Sequence, residues 1–326
     1  MKVLALPPAV SVGDTISLVA PAGPIDPAAL VRAIGVLEQR GLATKTYRDV
    51  TTQSGYLAGS DLARIDEFNA AIRDPETSAI LPIRGGYGLA RIVDRLDYAT
   101  LARRPKLVCG FSDITVLHAA IQRHAALASF HGPNLQDGIG SPAGLRKEVA
   151  PAYWHSVMNE PVSTHHDEPL QGDVQTLCGG RAEGPLVGGN LTVLCGLIGT
   201  PYEPDTAGAI LLLEDVGEAL YRIDRMLAQL ALAGKIQPLA GVVLGQFTSD
   251  VGQPPIPPDD LRQVFARFFG SLGVPVVANY PIGHTPTNLT VPLGVPVVLD
   301  GDAGRLDLEQ ARAQVTACRA QMPRAR

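Results

Sequence analysis

Ser112 stands where an apolar run gives way to a helical pattern, in Cys109-Gly110-Phe111-Ser112-Asp113-Ile114-Thr115. A serine on a sharp turn between strand and helix exposes its hydroxyl as a nucleophile, and the helix N-terminus leaves unpaired N–H groups facing developing negative charge. Gly110 permits close approach. The stretch departs from a G-x-S-x-G elbow, because Ile114 takes the last position, and Ser112 or Asp113 also suits the role of helix N-cap. A second junction of this kind is Arg84-Gly85-Gly86-Tyr87-Gly88. It fails as a dinucleotide fingerprint, since Arg91 falls where the third glycine belongs, and the chain has no phosphate-binding G-x-x-x-x-G-K-S/T run. A backbone N–H donor to an oxyanion fits it better, because only a close backbone approach is needed.

A nucleophilic serine needs a base. His118 lies six residues along the helical pattern from Ser112, about 9 Å away and too far for a hydrogen bond. His124 ends the same pattern and suits a helix C-terminus. His155, His165 and His166 fall in a proline-rich stretch, and the His165-His166-Asp167-Glu168 cluster lacks the second ligand pair of a metal site. His131 and His284 both follow apolar runs at glycine turns and remain as candidates. For an acid to orient the base, Leu211-Leu212-Leu213-Glu214-Asp215-Val216-Gly217-Glu218 places carboxylates directly after a strongly apolar run, where a charge requires a partner. Glu214 or Asp215 also suits capping the next helix or pairing with Arg222 or Arg225. The run is apolar throughout, so alternation does not choose which carboxylate points inward.

Those residues must be positioned by elements, and 326 residues suffice for two domains with sizeable cores. With 46% hydrophobic and 18% charged residues the chain folds, and a net charge of −5 without a dense basic block excludes nucleic acid as a partner. No apolar run approaches the ~18 residues of a membrane span. Pro7, Pro8 and Asp14 interrupt any secretory h-region, which places the protein in the cytoplasm. Cys109, Cys178, Cys195 and Cys318 have no C-x-x-C spacing and read as reduced thiols. The first half alternates short strands (residues 15–20, 79–83 and 106–110) with helices (26–40, 60–72, 89–96 and 114–124), the pattern of a parallel α/β layer that is self-contained. Asp26 and Ser60 are candidate N-caps. Periodicity fades over 138–180, which reads as linker. Strands follow at 209–213, 241–246, 274–278 and 295–299, with a strong amphipathic helix at 221–233.

Several stretches together resemble the serine LD-carboxypeptidases, a family that includes the microcin-immunity peptidases. They are VAPAGPID (19–26), YLAGSDLARIDEFNAAIRDPETSAILPIRGGYG (56–88), CGFSDIT (109–115), FHGPN (130–134), GPLVGGNLTVL (184–194), LLLEDVGEALYRIDRML (211–227), GVVLGQF (241–247) and PIGHTPTNLTVPLG (281–294). The resemblance implies an α/β fold: a flavodoxin-like N-terminal domain (1–137) with the nucleophile, and a smaller β-rich C-terminal domain (181–326) with acid and base. It assigns the nucleophile to Ser112, the acid to Glu214 and the base to His284. The oxyanion hole maps onto the amides of Asp113 and the glycine turn, with Gly86 preferred over Gly85. His131, Asp215 and Glu218 are left with structural roles or with supporting roles behind the reacting groups. The resemblance further implies a homodimer, no metal and no cofactor. The substrate it implies is a cytoplasmic murein tetrapeptide, from which the terminal D-Ala is released. The alternative is an immunity-type peptidase cutting a peptidyl-aspartyl nucleotide amide, which carries extra aromatic residues to stack on the base. One Trp, Trp154, and 5% aromatic residues favour the murein branch. A reading of another class is a non-catalytic binder of small anions, and a third is transfer to an amine in place of water.

Overall fold

In the computed structural model, which describes residues 4–158, 174–250 and 252–308, the apolar runs of the first half form one parallel layer. Its strands are β1 (Thr15–Val19), β2 (Ala43–Lys45), β3 (Thr77–Pro82), β4 (Leu107–Gly110) and β5 (Ser129–His131). They run parallel in the order β2-β1-β3-β4-β5. This flavodoxin-like order reverses direction between β1 and β3 and so opens a crevice at the carboxyl ends of the strands. The helices between them are α1 (Pro27–Gln39), α2 (Asp61–Arg73), α3 (Tyr98–Arg103) and α4 (Thr115–His124). Asp26 caps α1 by accepting the Ala28 N–H, with Pro27 at the first position, and the Ser60 hydroxyl accepts the Ala63 N–H at the start of α2. The helix expected over 89–96 is instead two 3-10 turns, Leu89–Arg91 and Val93–Arg95. Leu89, Ile92, Val93 and Leu96 are all buried, a spacing that a tighter helix satisfies equally.

Residues 138–158, expected as linker, are part of this layer. Helix α5 (Ala150–Met158) presents Tyr153, Trp154 and Val157 to the same core as Ile16, Leu18, Leu81 and Leu37. Each such side chain contributes about 1.5–3 kcal/mol when fully buried. The prolines that hid the helix sit at its start, Pro151, and beyond its end.

The second sheet comprises β6 (Gln175–Cys178), β7 (Arg181–Asn190), β8 (Ile210–Val216), β9 (Gly241–Thr248) and β10 (Val276–Ala278). The strand β11 (Val291–Leu293) leaves it, and β12 (Pro296–Asp300) and β13 (Arg305–Asp307) return. The order is β13-β12-β7-β8-β9-β10-β6, parallel from β7 to β10 and antiparallel at both edges. Helices α6 (Leu191–Leu197), α7 (Leu220–Leu232) and α8 (Pro258–Phe269) pack on one face, against Leu211, Leu213, Val242 and Leu244. The other face, with Ile210, Leu212 and Val243, joins a core that includes Ala128, Val291 and Leu293. β11 itself pairs antiparallel with β5, so the chain stitches the second unit onto the edge of the first sheet.

Candidate active site

β4 ends at Gly110, and two residues later Ser112 takes φ +66°, a left-handed conformation unusual for a residue with a side chain. Asn134 holds the approach to this turn. Its Oδ1 accepts the Phe111 N–H at 3.2 Å, and its Nδ2 donates to the Phe111 carbonyl at 3.4 Å. Gly110 allows this contact, because a Cβ there would lie 2.7 Å from Asn134 Oδ1. Neither Ser112 nor Asp113 caps the helix that follows. Asp113 instead reaches across to accept the Leu89 N–H at 2.9 Å, tying this turn to the glycine turn. Burial pushes the Asp113 carboxyl up to about 6.

The glycine turn lies directly against Ser112. A methyl on Gly85 would stand 2.8 Å from Ser112 Cβ and 2.9 Å from its Oγ, so only glycine permits the backbone to come this near. Gly86, at φ +111°, is exposed beside it, and the Gly85 carbonyl accepts the Gly23 N–H at 2.9 Å. Arg64 supports the turn from below, donating to the carbonyls of Pro21 and Gly88 and to Asp61.

Across the interface, strand alternation settles which carboxylate faces inward. Glu214 shares the face of Ile210 and Leu212, toward the first sheet, whereas Asp215 shares the helix-covered face of Leu211 and Leu213. A bulge sharpens this: Leu213 pairs with Leu244 and Asp215 with Phe247, so Gly245 and Gln246 together oppose Glu214. Glu214 is fully buried, and its Oε2 accepts a hydrogen bond from His284 Nδ1 at 2.7 Å. Gly245 and Gly283 clear the space, since Cβ atoms there would stand 3.2 and 3.1 Å from Glu214 Cβ. Burial lowers the His284 pKa, but the Glu214 hydrogen bond and the charges of Glu214, Asp215 and Asp137 outweigh it, and the net direction is up. The His284 ring packs on Phe111, the residue before Ser112, at 4.7 Å between centroids, and the bond it makes is to Glu214.

The remaining candidates are structural. His118 is fully buried between Ser129 Oγ and the Gly110 carbonyl, each at 2.8 Å. A carbonyl only accepts, so the proton sits on Nε2, and burial lowers the ring's pKa to about 4. His131 is fully buried, and burial holds it well below its ordinary pKa. His124 packs between Tyr98 and Tyr202 at the end of α4. Asp215 accepts from Thr192 N, Thr192 Oγ1 and Asn190 Nδ2, capping α6 rather than the helix after it. Glu218 pairs with Arg222 at 3.6 Å. Trp154 lies in the core with Arg40 over its ring. Among the described residues no three metal-ligating side chains gather. His165, His166, Asp167, Glu168 and Cys318 lie outside the described residues. The helpers that sequence reasoning passed over are Asn134, whose signal was the Gly-Pro-Asn turn after an apolar strand, and Thr115. The Thr115 hydroxyl accepts the Asn190 N–H at 3.0 Å, linking the first turn of α4 to Asp215, the neighbour of Glu214.

Two α/β sheets, the first of flavodoxin-like order, with a left-handed serine turn beside a pair made of a buried carboxylate and a half-buried imidazole, define a class of two-domain α/β protein. The chain belongs to the LD-carboxypeptidase family: it matches the LD-carboxypeptidase N-terminal domain over residues 16–132 and the C-terminal domain over 183–299. It is 38% identical over 299 residues to a probable murein peptide carboxypeptidase of Bacillus subtilis, covering 90% of this chain and 91% of that one. The crystal structure of muramoyltetrapeptide carboxypeptidase from Oxalobacter formigenes is similar with a TM-score of 0.74 at 30% identity, over 90% of this chain and 97% of that one. The microcin C7 self-immunity protein MccF of Escherichia coli, in its inactive-mutant apo state, gives a TM-score of 0.79 at 25% identity, over 94% and 98%.

Proposed function

We propose that this chain is a serine LD-carboxypeptidase that releases terminal D-Ala from murein tetrapeptides. The observation that carries this reading is the 2.7 Å contact of buried Glu214 with half-buried His284, packed on the residue that precedes a left-handed Ser112. With Nδ1–H donated to Glu214, His284 keeps Nε2 as the free base. That nitrogen takes the Ser112 proton as Oγ attacks the carbonyl of the L-centre. The oxyanion receives N–H groups from the Asp113 amide and the glycine turn, for which Gly86 is the assigned donor. His284 then returns the proton to the leaving amine of D-Ala, the ester forms on Ser112, and water activated by the same imidazole hydrolyses it. No metal or cofactor enters the scheme, and EDTA is expected to leave the rate unchanged.

The test is incubation of the purified protein with L-Ala-γ-D-Glu-meso-diaminopimelyl-D-Ala beside an aspartyl-adenylate analogue. Release of D-Ala from the first is the expected outcome. Cleavage of the second alone would favour the immunity-type reading, which the overall likeness to MccF supports. Hydrolysis of neither would leave a binding protein, and an amide product formed only when an amine is added would indicate transfer. With the peptidase reading go a cytoplasmic location and a homodimer, to be checked by fractionation and by light scattering. No helix among the described residues is long and apolar enough to cross a membrane.

A further inference from the structure

An enzyme that removes only the last residue must sense a free carboxylate one residue beyond the bond it cuts. A cation therefore has to stand roughly one residue, about 4–8 Å, past the nucleophile. Among the described residues two arginines reach the turns around Ser112. Arg64 is fully buried and already engaged with the Pro21 and Gly88 carbonyls and with Asp61. Arg84 is not. It opens the glycine turn, one residue before the Gly85 backbone that touches Ser112. Its stem lies along Gly23, and one N–H goes to the Pro24 carbonyl at 3.0 Å. No carboxylate of the described residues forms an ion pair with it, although it is half-buried. A partly desolvated guanidinium with no carboxylate in direct contact has lost hydration that an incoming anion would replace. The carboxylate whose charge acts on it is the exposed Asp137, which acts on His284 as well. Arg84 and His284 thus both lie within electrostatic reach of Asp137, and Arg84 adjoins the Gly85 backbone that touches Ser112.

We propose that Arg84 binds the free terminal carboxylate of the substrate and so makes the site exo-acting, with Asp137 weakening this contact by opposing a second negative charge. The assignment rests on the peptidase reading for its substrate, but it concerns binding and is separable from turnover. The Pro24 carbonyl fixes one edge of the guanidinium, and the remaining N–H groups offer the paired geometry that a carboxylate accepts.

The experiment is calorimetric titration of Ser112→Ala, which binds without turnover, using the tetrapeptide above and the same peptide ending in D-alaninamide. The free acid is expected to bind on the order of 10- to 100-fold tighter than the amide. Arg84→Gln on this background should bring the ratio close to one, Arg84→Lys should recover part of it, and Asp137→Asn should widen it. Equal binding of acid and amide by the arginine form would overturn the assignment, as would a preference that survives Arg84→Gln or no binding of either peptide. If the protein with Ser112 intact cuts neither peptide while the Arg84-dependent preference holds, the carboxylate site stands and the peptidase reading falls.

Discussion

Glu214 engages His284 through one oxygen, since Oε2 holds the imidazole while Oε1 is buried without a hydrogen-bond partner. A carboxylate so placed is strongly biased toward an imidazolium beside it, which is why the net shift of His284 is upward despite burial. In the proposed mechanism the neutral imidazole is the base, so kcat/KM is expected to rise with pH along a limb centred above the ordinary 6.5 of histidine. Glu214→Gln removes both the hydrogen-bonded charge and the tautomer restraint. The limb should then move to lower pH while kcat falls roughly 10²- to 10⁴-fold. An unmoved limb in a pH–rate profile would show that another group sets it. In the proposed triad Ser112→Ala, His284→Ala and Glu214→Gln act on one unit, so the double variants should lose little beyond the worst single one. Additive losses would separate one of the three from the reaction.

At the level of elements, the bulge between β8 and β9 adds to strand alternation in placing Glu214, the proposed acid. It exists because Gly245 can lie against the Ile282 carbonyl, where a Cβ would come within 2.4 Å. Gly245→Ala must push β9 away from the 281–284 loop that carries His284. An urea titration is expected to show a loss of about 1–3 kcal/mol, with activity lost more steeply than stability because the 2.7 Å contact is displaced. Wild-type kinetics in this variant would mean that the bulge does not position the pair. β7 shows the opposite use of glycine. Gly188, at φ +128°, sits where a Cβ would meet the Leu212 carbonyl at 2.0 Å, so a central strand carries residues that ordinarily mark turns.

On the scale of the whole molecule, the proposed nucleophile comes from one sheet and the proposed acid and base from the other. Three features hold the two in register. β11 completes the edge of the first sheet beside β5, the core around Ile210, Leu212, Val291 and Leu293 fills the interface, and Thr115, Asn190 and Asp215 form a polar strut behind the site. The first layer is therefore not self-contained at residue 137. A fragment 1–137 exposes the β5 edge and lacks Tyr153, Trp154 and Val157, so it should fail to unfold cooperatively when followed by circular dichroism. A fragment 1–158 should regain part of the stability. Neither is expected to hydrolyse the tetrapeptide, and activity in either would place the base in the first layer.

Local chemistry was readable from the residues themselves. The apolar runs of β1, β3, β4, β8 and β9, the caps at Asp26 and Ser60, and the turn at Ser112 all follow from nearest-neighbour patterns, because period, capping and turn propensity act over a few residues. The residues alone left Glu214 open against Asp215 and His284 open against His131, and the family resemblance named one of each. Only the tertiary structure pairs them. Which face of β8 meets the first sheet, where the bulge falls and which imidazole lies opposite depend on the relative placement of two sheets some 100 residues apart in sequence. The helix α5 and the strand β7 were hidden for a related reason. Prolines and glycines weaken a local pattern, and burial against distant partners supplies the free energy that the pattern does not advertise.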